Sequence, residues 1–159
     1  MSLALAMSAF NSKEAKEHNY SAEYAGKNVK ALLNETGFKD IDISAYEGKP
    51  SENSIGVAFA NKVVEDGSSL IVVAIRGGGY EDEWAGNFNM TGLRDYHDGF
   101  ATAAYTVLDS LGKYIDSNRI TGDVKVWIVG YSRAAATANL VAQTLDDILL
   151  RGYSQNLTL

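Results

Sequence analysis

Two continuously apolar runs rich in β-branched residues, Leu70–Ile75 and Val124–Val129, carry the strongest pattern in the chain. A run without polar interruptions is covered on both faces, which predicts two central strands of a sheet. Around them the period changes. Ala25, Val29, Leu32 and Leu33 recur at helical spacing, so residues 21–35 are expected to form a helix with Ser21 as its cap and Gly37 as its stop. Phe100, Ala104, Val107, Leu111 and Tyr114 make one stripe of a long helix over Asp98–Ile115. Residues 2–10 and Ala134–Leu150 also read as helices. Lys39–Tyr46 sets Ile41 and Ile43 against Asp42 and Ser44, the alternation of an exposed strand. Ser54–Val64 is a further strand, and Asp66-Gly67 is a hairpin turn that joins it to Leu70–Ile75.

Strands first, then strand, helix, strand and helix, describe an α/β three-layer sandwich with a mixed, mostly parallel sheet. The Ile75 and Val129 strands should be parallel neighbours. There are no repeats or low-complexity tracts, and Pro50 is the single proline, so residues 1–159 read as one domain.

Composition narrows the function classes. With 46% apolar and 21% charged residues, the 159-residue chain can bury an ordinary globular core. A net charge of −6 and a pI near 4.8 argue against nucleic acid and against charge-driven membrane binding. The absence of cysteine excludes disulfides and thiolate metal sites. No apolar run approaches the length of a transmembrane helix. Met1–Phe10 is apolar without a basic flank and reads as helix and not as a signal peptide, which leaves localisation open.

The second apolar run leads directly into Gly130-Tyr-Ser132-Arg133-Ala134 and then into small residues. A strand, a sharp turn and a helix are the context in which Gly-x-Ser-x-Gly denotes a nucleophile. Small residues two positions either side of Ser132 let the strand and helix backbones approach, and Ala134 stands where a second glycine is usual. The helix start would place the Arg133 N–H toward a developing oxyanion. Ser132 is therefore the candidate nucleophile. Acyl transfer also needs donors from a second direction, and Arg76-Gly77-Gly78-Gly79 follows the other apolar run. In parallel sheets ligands bind outside that carboxyl end.

These segments carry a resemblance. Val73-Ala-Ile-Arg76-Gly77-Gly78-Gly79, Glu83-Trp84, Asn87-Phe88, His97-Asp-Gly99-Phe100 and Gly130-Tyr-Ser-Arg-Ala134 occur in order across residues 40–150. The arrangement resembles the class 3 lipase family, the fungal triacylglycerol lipase type of α/β-hydrolase, and more narrowly its bacterial members with a Gly-Tyr-Ser-Arg-Gly-Ala-Ala elbow. The resemblance implies that Gly78 supplies part of the oxyanion hole and that Trp84 and His97 are structural. No cofactor is implied, and the substrate would be a small-molecule or lipid ester.

The residues agree on His97. It opens a helix between Asp95 and Asp98, where a histidine more often packs or caps than acts as base, and a metal site of these three is weaker still. His18 lies in a polar stretch and reads as solvated; Tyr80–Glu83 reads as an acidic helix start. In α/β-hydrolases the order is Ser, then Asp or Glu, then His, and no histidine follows Ser132. Asp146 and Asp147 fall in the helix beyond the elbow.

The missing base leaves two readings: the N-terminal portion of a longer hydrolase, truncated after the nucleophile helix, or a noncatalytic binding or assembly module on the same fold. Acyl transfer to an alcohol or amine stays open beside hydrolysis. A sheet ending at the nucleophile strand is expected to expose an apolar edge and to self-associate there.

Overall fold

The computed structural model describes residues 1–51, 54–77, 98–150 and 157–158. The elements are α1 (Ser2–Ser8), α2 (Ala22–Ala25), α3 (Lys27–Glu35), β1 (Lys39–Asp42), β2 (Val57–Val63), β3 (Ser69–Ile75), α4 (Asp98–Ser117), β4 (Val124–Gly130), α5 (Arg133–Leu150) and β5 (Leu157–Thr158). Five strands form one sheet in the order β1-β2-β3-β4-β5. The two apolar runs are β3 and β4, and they are parallel neighbours, with Ser69 opposite Val124 and Ile75 opposite Gly130.

Alternation along the strands divides the core into two layers. Val57, Phe59, Ile71, Val73, Ile75 and Val126 point to one face and meet Ala104, Val107 and Leu111 of α4 and Val141 and Leu145 of α5. Ala58, Ala60, Val72, Ala74 and Val129 point to the other face and meet Leu5 of α1, Ala25 of α2 and Val29 and Leu33 of α3. A strand buried on both faces cannot alternate polar and apolar residues, which is why these runs are uninterrupted. Each fully buried aliphatic side chain contributes roughly 1.5–3 kcal/mol of apolar burial.

The sheet departs from expectation in two respects. β1–β2 and β2–β3 are antiparallel, while β3–β4 and β4–β5 are parallel, so the ladders divide evenly and the sheet is mixed without being mostly parallel. β4 is also not left bare. Leu157 and Thr158 pair with Val124 and Lys125, a two-residue strand with no periodicity to announce it. On that side of β4, no strand pairs with Val126–Gly130 among the described residues.

Local chemistry explains the shifted boundaries. The helix expected over residues 21–35 breaks at Gly26, whose ψ of 5° turns α2 into α3. Ser21 occupies the cap position but makes no side-chain capping hydrogen bond. Gly37, at φ +79°, ends α3, with Phe38 N–H donating to Leu33 O at 3.0 Å and Gly37 N–H to Asn34 O at 3.1 Å. This is the paired closure of a Schellman motif. β1 stops at Asp42 because its carboxylate accepts from Ser44 N–H at 2.7 Å and bends the chain, leaving Tyr46 to make a lone bridge with Gly56.

The hairpin turn forms as expected, Gly67 at φ +84° and Val64 N–H donating to Ser68 O at 3.0 Å. At the same end of the sheet Lys125 pairs with Asp66. On the α4 side, Tyr114 donates from its hydroxyl to Asp40 O at 3.0 Å and accepts from Asn61 Nδ2 at 2.8 Å. Burial disfavours the phenolate and pushes the Tyr114 pKa up to about 12.

Candidate active site

The parallel register brings two chain segments together at the carboxyl end of the sheet. Ile75 lies opposite Gly130, so Arg76-Gly77 and Tyr131-Ser132 leave the sheet side by side. Gly130 has no room for a side chain: a Cβ there would sit 2.5 Å from Ala134 O and 2.9 Å from Ala134 Cβ. The strand therefore runs against the first turn of α5. This contact also explains why alanine is accommodated at 134. Its methyl is buried in the α4–α5 layer, and the missing side chain at Gly130 leaves space for it.

Between strand and helix, Ser132 adopts φ +59° and is exposed. A non-glycine residue in this region is held there against roughly 1–2 kcal/mol of backbone strain. Its carbonyl accepts from Ala135 N–H at 2.9 Å, and Ala134 N–H donates to Tyr131 O at 3.2 Å, which together lock the bend. Among the described residues Ser132 Oγ makes no hydrogen bond. Arg133 is the first residue of α5, where backbone N–H groups point beyond the helix start.

Gly77 is buried and equally confined. A Cβ there would meet the Phe10 ring at 2.6 Å and Tyr131 O at 2.7 Å. Arg76 is 6% exposed, and its guanidinium donates to Asn11 Oδ1 at 3.0 Å and Gly48 O at 3.2 Å, as well as to Glu47 O and Ser54 Oγ. It also lies 5.6 Å from the centre of the Tyr46 ring. Arg76 thus ties the end of β3 to three other segments and turns away from solvent.

Not every expected residue can be placed beside Ser132. Gly78, Trp84, Asp95, His97 and Tyr80–Glu83 lie outside the described residues. Gly99 falls in the first turn of α4. Asp146 and Asp147 are exposed on α5. His18 is exposed as expected, but it is also stacked on Tyr24, ring centres 3.4 Å apart and 5° from parallel.

Beneath the elbow, Ile55, Ile75, Arg76, Ala103, Arg133 and Thr137 line a slit of about 10 Å³, room for roughly one water and no substrate. Wider grooves lie elsewhere among the described residues, of about 230 Å³ between α4 and α5, about 310 Å³ between α1, β4 and α5, and about 220 Å³ beside Asp42, Phe59 and Lys113; Ser132 lines none of these. Among the described residues there is no group of His, Asp and Glu that could hold a metal, and no helix is long and apolar enough to cross a membrane.

Sequence reasoning missed Phe10, Asn11, Glu47 and Gly48, which pack against or bond to the loop after β3. Their only signal was local. Phe10 closes an apolar helix and Asn11 follows it, a pattern that fits any helix end.

No family model, curated protein or solved structure matches the chain.

Proposed function

We propose that the chain carries the nucleophile and oxyanion-binding half of a serine carboxylic-ester hydrolase of the class 3 lipase type, built on an α/β-hydrolase-like sandwich and acting on lipid-like esters. One observation supports this above the rest: Ser132, exposed at φ +59°, stands between a buried parallel strand and a helix, beside Arg76-Gly77 at the end of the neighbouring strand. Strain of this kind at an exposed hydroxyl is a recurrent feature of nucleophile elbows.

In the proposed reaction Ser132 Oγ attacks the acyl carbonyl carbon and its proton passes to a general base. The carbonyl oxygen takes the negative charge and is held by the Arg133 and Gly78 N–H groups. Collapse expels the alcohol, which takes up the proton, and leaves an acyl-enzyme that water hydrolyses. No histidine occurs among residues 133–159, so the base and its orienting carboxylate are not assigned to those residues. That same fact favours a second reading, a noncatalytic binding module that keeps the elbow geometry.

An alkyl fluorophosphonate probe separates the two. Covalent capture at Ser132 in the full-length protein, lost in Ser132→Ala, supports the hydrolase; an unlabelled full-length protein, or labelling that survives the substitution, rejects it.

A further inference from the structure

The loop after β3 and the elbow after β4 meet through a third segment. Phe10 and Asn11, just beyond α1, touch two partners each. The Phe10 ring leaves no space for a Cβ at Gly77 and lies tilted at 57° against Tyr131, ring centres 6.4 Å apart. Asn11 accepts from Arg76 at 3.0 Å and donates through Nδ2 to Gly48 O at 2.9 Å. The next residue anchors the pair: Ser12 N–H donates to Ala25 O at 3.3 Å, and Ser12 Oγ donates to Tyr24 O.

We propose that Phe10 and Asn11 are positioning residues that set the separation between Arg76-Gly77 and the serine elbow. The inference rests on the hydrolase reading, because it assigns those two loops as the two sides of one oxyanion site. The physical requirement is strict. Donors that approach an oxyanion from two loops work only if the loops keep their spacing to a fraction of an ångström. β3 and β4 fix that spacing as far as Ile75 and Gly130, where the ladder ends. Beyond the ladder, Gly77 is trapped between an aromatic ring and the Tyr131 carbonyl, and Arg76 is bonded to the residue next to that ring. A single dipeptide therefore controls both loops. It does so from the opposite face of the sheet to α4 and α5, since the segment before it packs with α2 and α3.

The test compares Phe10→Ala and Asn11→Ala with the conservative Phe10→Leu and Asn11→Asp in the full-length protein. Amide exchange is read at Arg76, Ala134 and Ala135, whose N–H groups bond to Gly56, Tyr131 and Ser132, with Val73 and Val126 as internal controls. Saturation kinetics of alkyl fluorophosphonate capture at Ser132 are read alongside.

Both alanine variants should speed exchange at the three loop amides about tenfold and leave the controls unchanged, with the conservative variants recovering most of the difference. The maximal capture rate should fall about tenfold at an unaltered half-saturating concentration, since geometry and not probe binding is lost. Unchanged loop exchange overturns the proposal. So does exchange that rises equally across the sheet, or local loosening with full capture. If the wild-type protein captures no probe, the hydrolase reading fails on that arm, and exchange alone decides whether the dipeptide sets the loop spacing.

Discussion

The two ends of the β3–β4 pair use glycine for opposite purposes. At the amino end, Gly67 and Gly122 have φ values of +84° and +88°, and a Cβ at either would meet nothing within 4 Å. Those glycines supply conformation in open solvent. At the carboxyl end, Gly77 and Gly130 stand where a Cβ would collide with backbone at 2.7 and 2.5 Å. They supply proximity, and the left-handed conformation falls instead on Ser132 at +59°. Positive φ alone does not mark a site, because Asn19 and Tyr20 share it in a turn, Arg119 after α4 and Asp40 at the register shift within β1. What distinguishes Ser132 is that the strained residue is flanked by close backbone approach and leaves its hydroxyl exposed. At Gly67 and Gly122 glycine meets the turn conformation without strain; at Ser132 the strain is kept on a residue with a reactive group.

The close approach at the carboxyl end depends most on Gly130. Gly130→Ala forces backbone apart at the strand–helix junction and should cost about 3 kcal/mol, read as a lower urea midpoint, with loss of any probe capture at Ser132. An unchanged midpoint would show that proximity is not what this glycine supplies. Gly77→Ala should cost about 2 kcal/mol, because the Phe10 ring can tilt while the Tyr131 carbonyl cannot. Its counterpart Gly67→Ala meets no atom and should cost only about 1 kcal/mol from its backbone angle, so Gly67→Asn should recover part of that loss and Gly77→Asn none.

At Ser132 itself, glycine should be more stable than alanine by about 1 kcal/mol, since both remove the hydroxyl and only glycine relieves the backbone. Equal melting temperatures for the two variants would deny the strain.

The smallest effect lies at the amino end and depends on pH. The Lys125 ammonium, then Ser68, hydrogen-bond Asp66 and hold its carboxyl well below the usual carboxylate range. A pKa lowered on folding stabilises above the unfolded value near 4 and is lost as pH falls through the folded value. Lys125→Met should therefore bring the Asp66 carboxyl titration, followed by NMR, back toward about 4 and flatten acid unfolding in that range. No matching change should occur in probe capture at the other end of the sheet.

Much of the fold was legible because its signals are local. Uninterrupted β-branched runs announced β3 and β4, helical spacing announced α3 and α4, and Asp66-Gly67 announced a turn. The errors arose where a side chain or a neighbour overrode the pattern. Asp42 bends β1 short of Ile43, and Gly26 splits one helix into two. β5 is recruited by the edge of β4 with no periodicity of its own.

At the site, residue order alone was enough to make Ser132 the candidate and to expect the glycine loop on the adjacent strand, because spacing from a strand end is a short-range property. Tertiary structure decided the rest. The angle at Ser132, the confinement of Gly77 by Phe10 and the bonding of Arg76 to Asn11, 65 positions away, depend on groups brought together by packing. Hydrophobic patterning specifies which face is buried, but it carries no information on which distant side chain will lie against it.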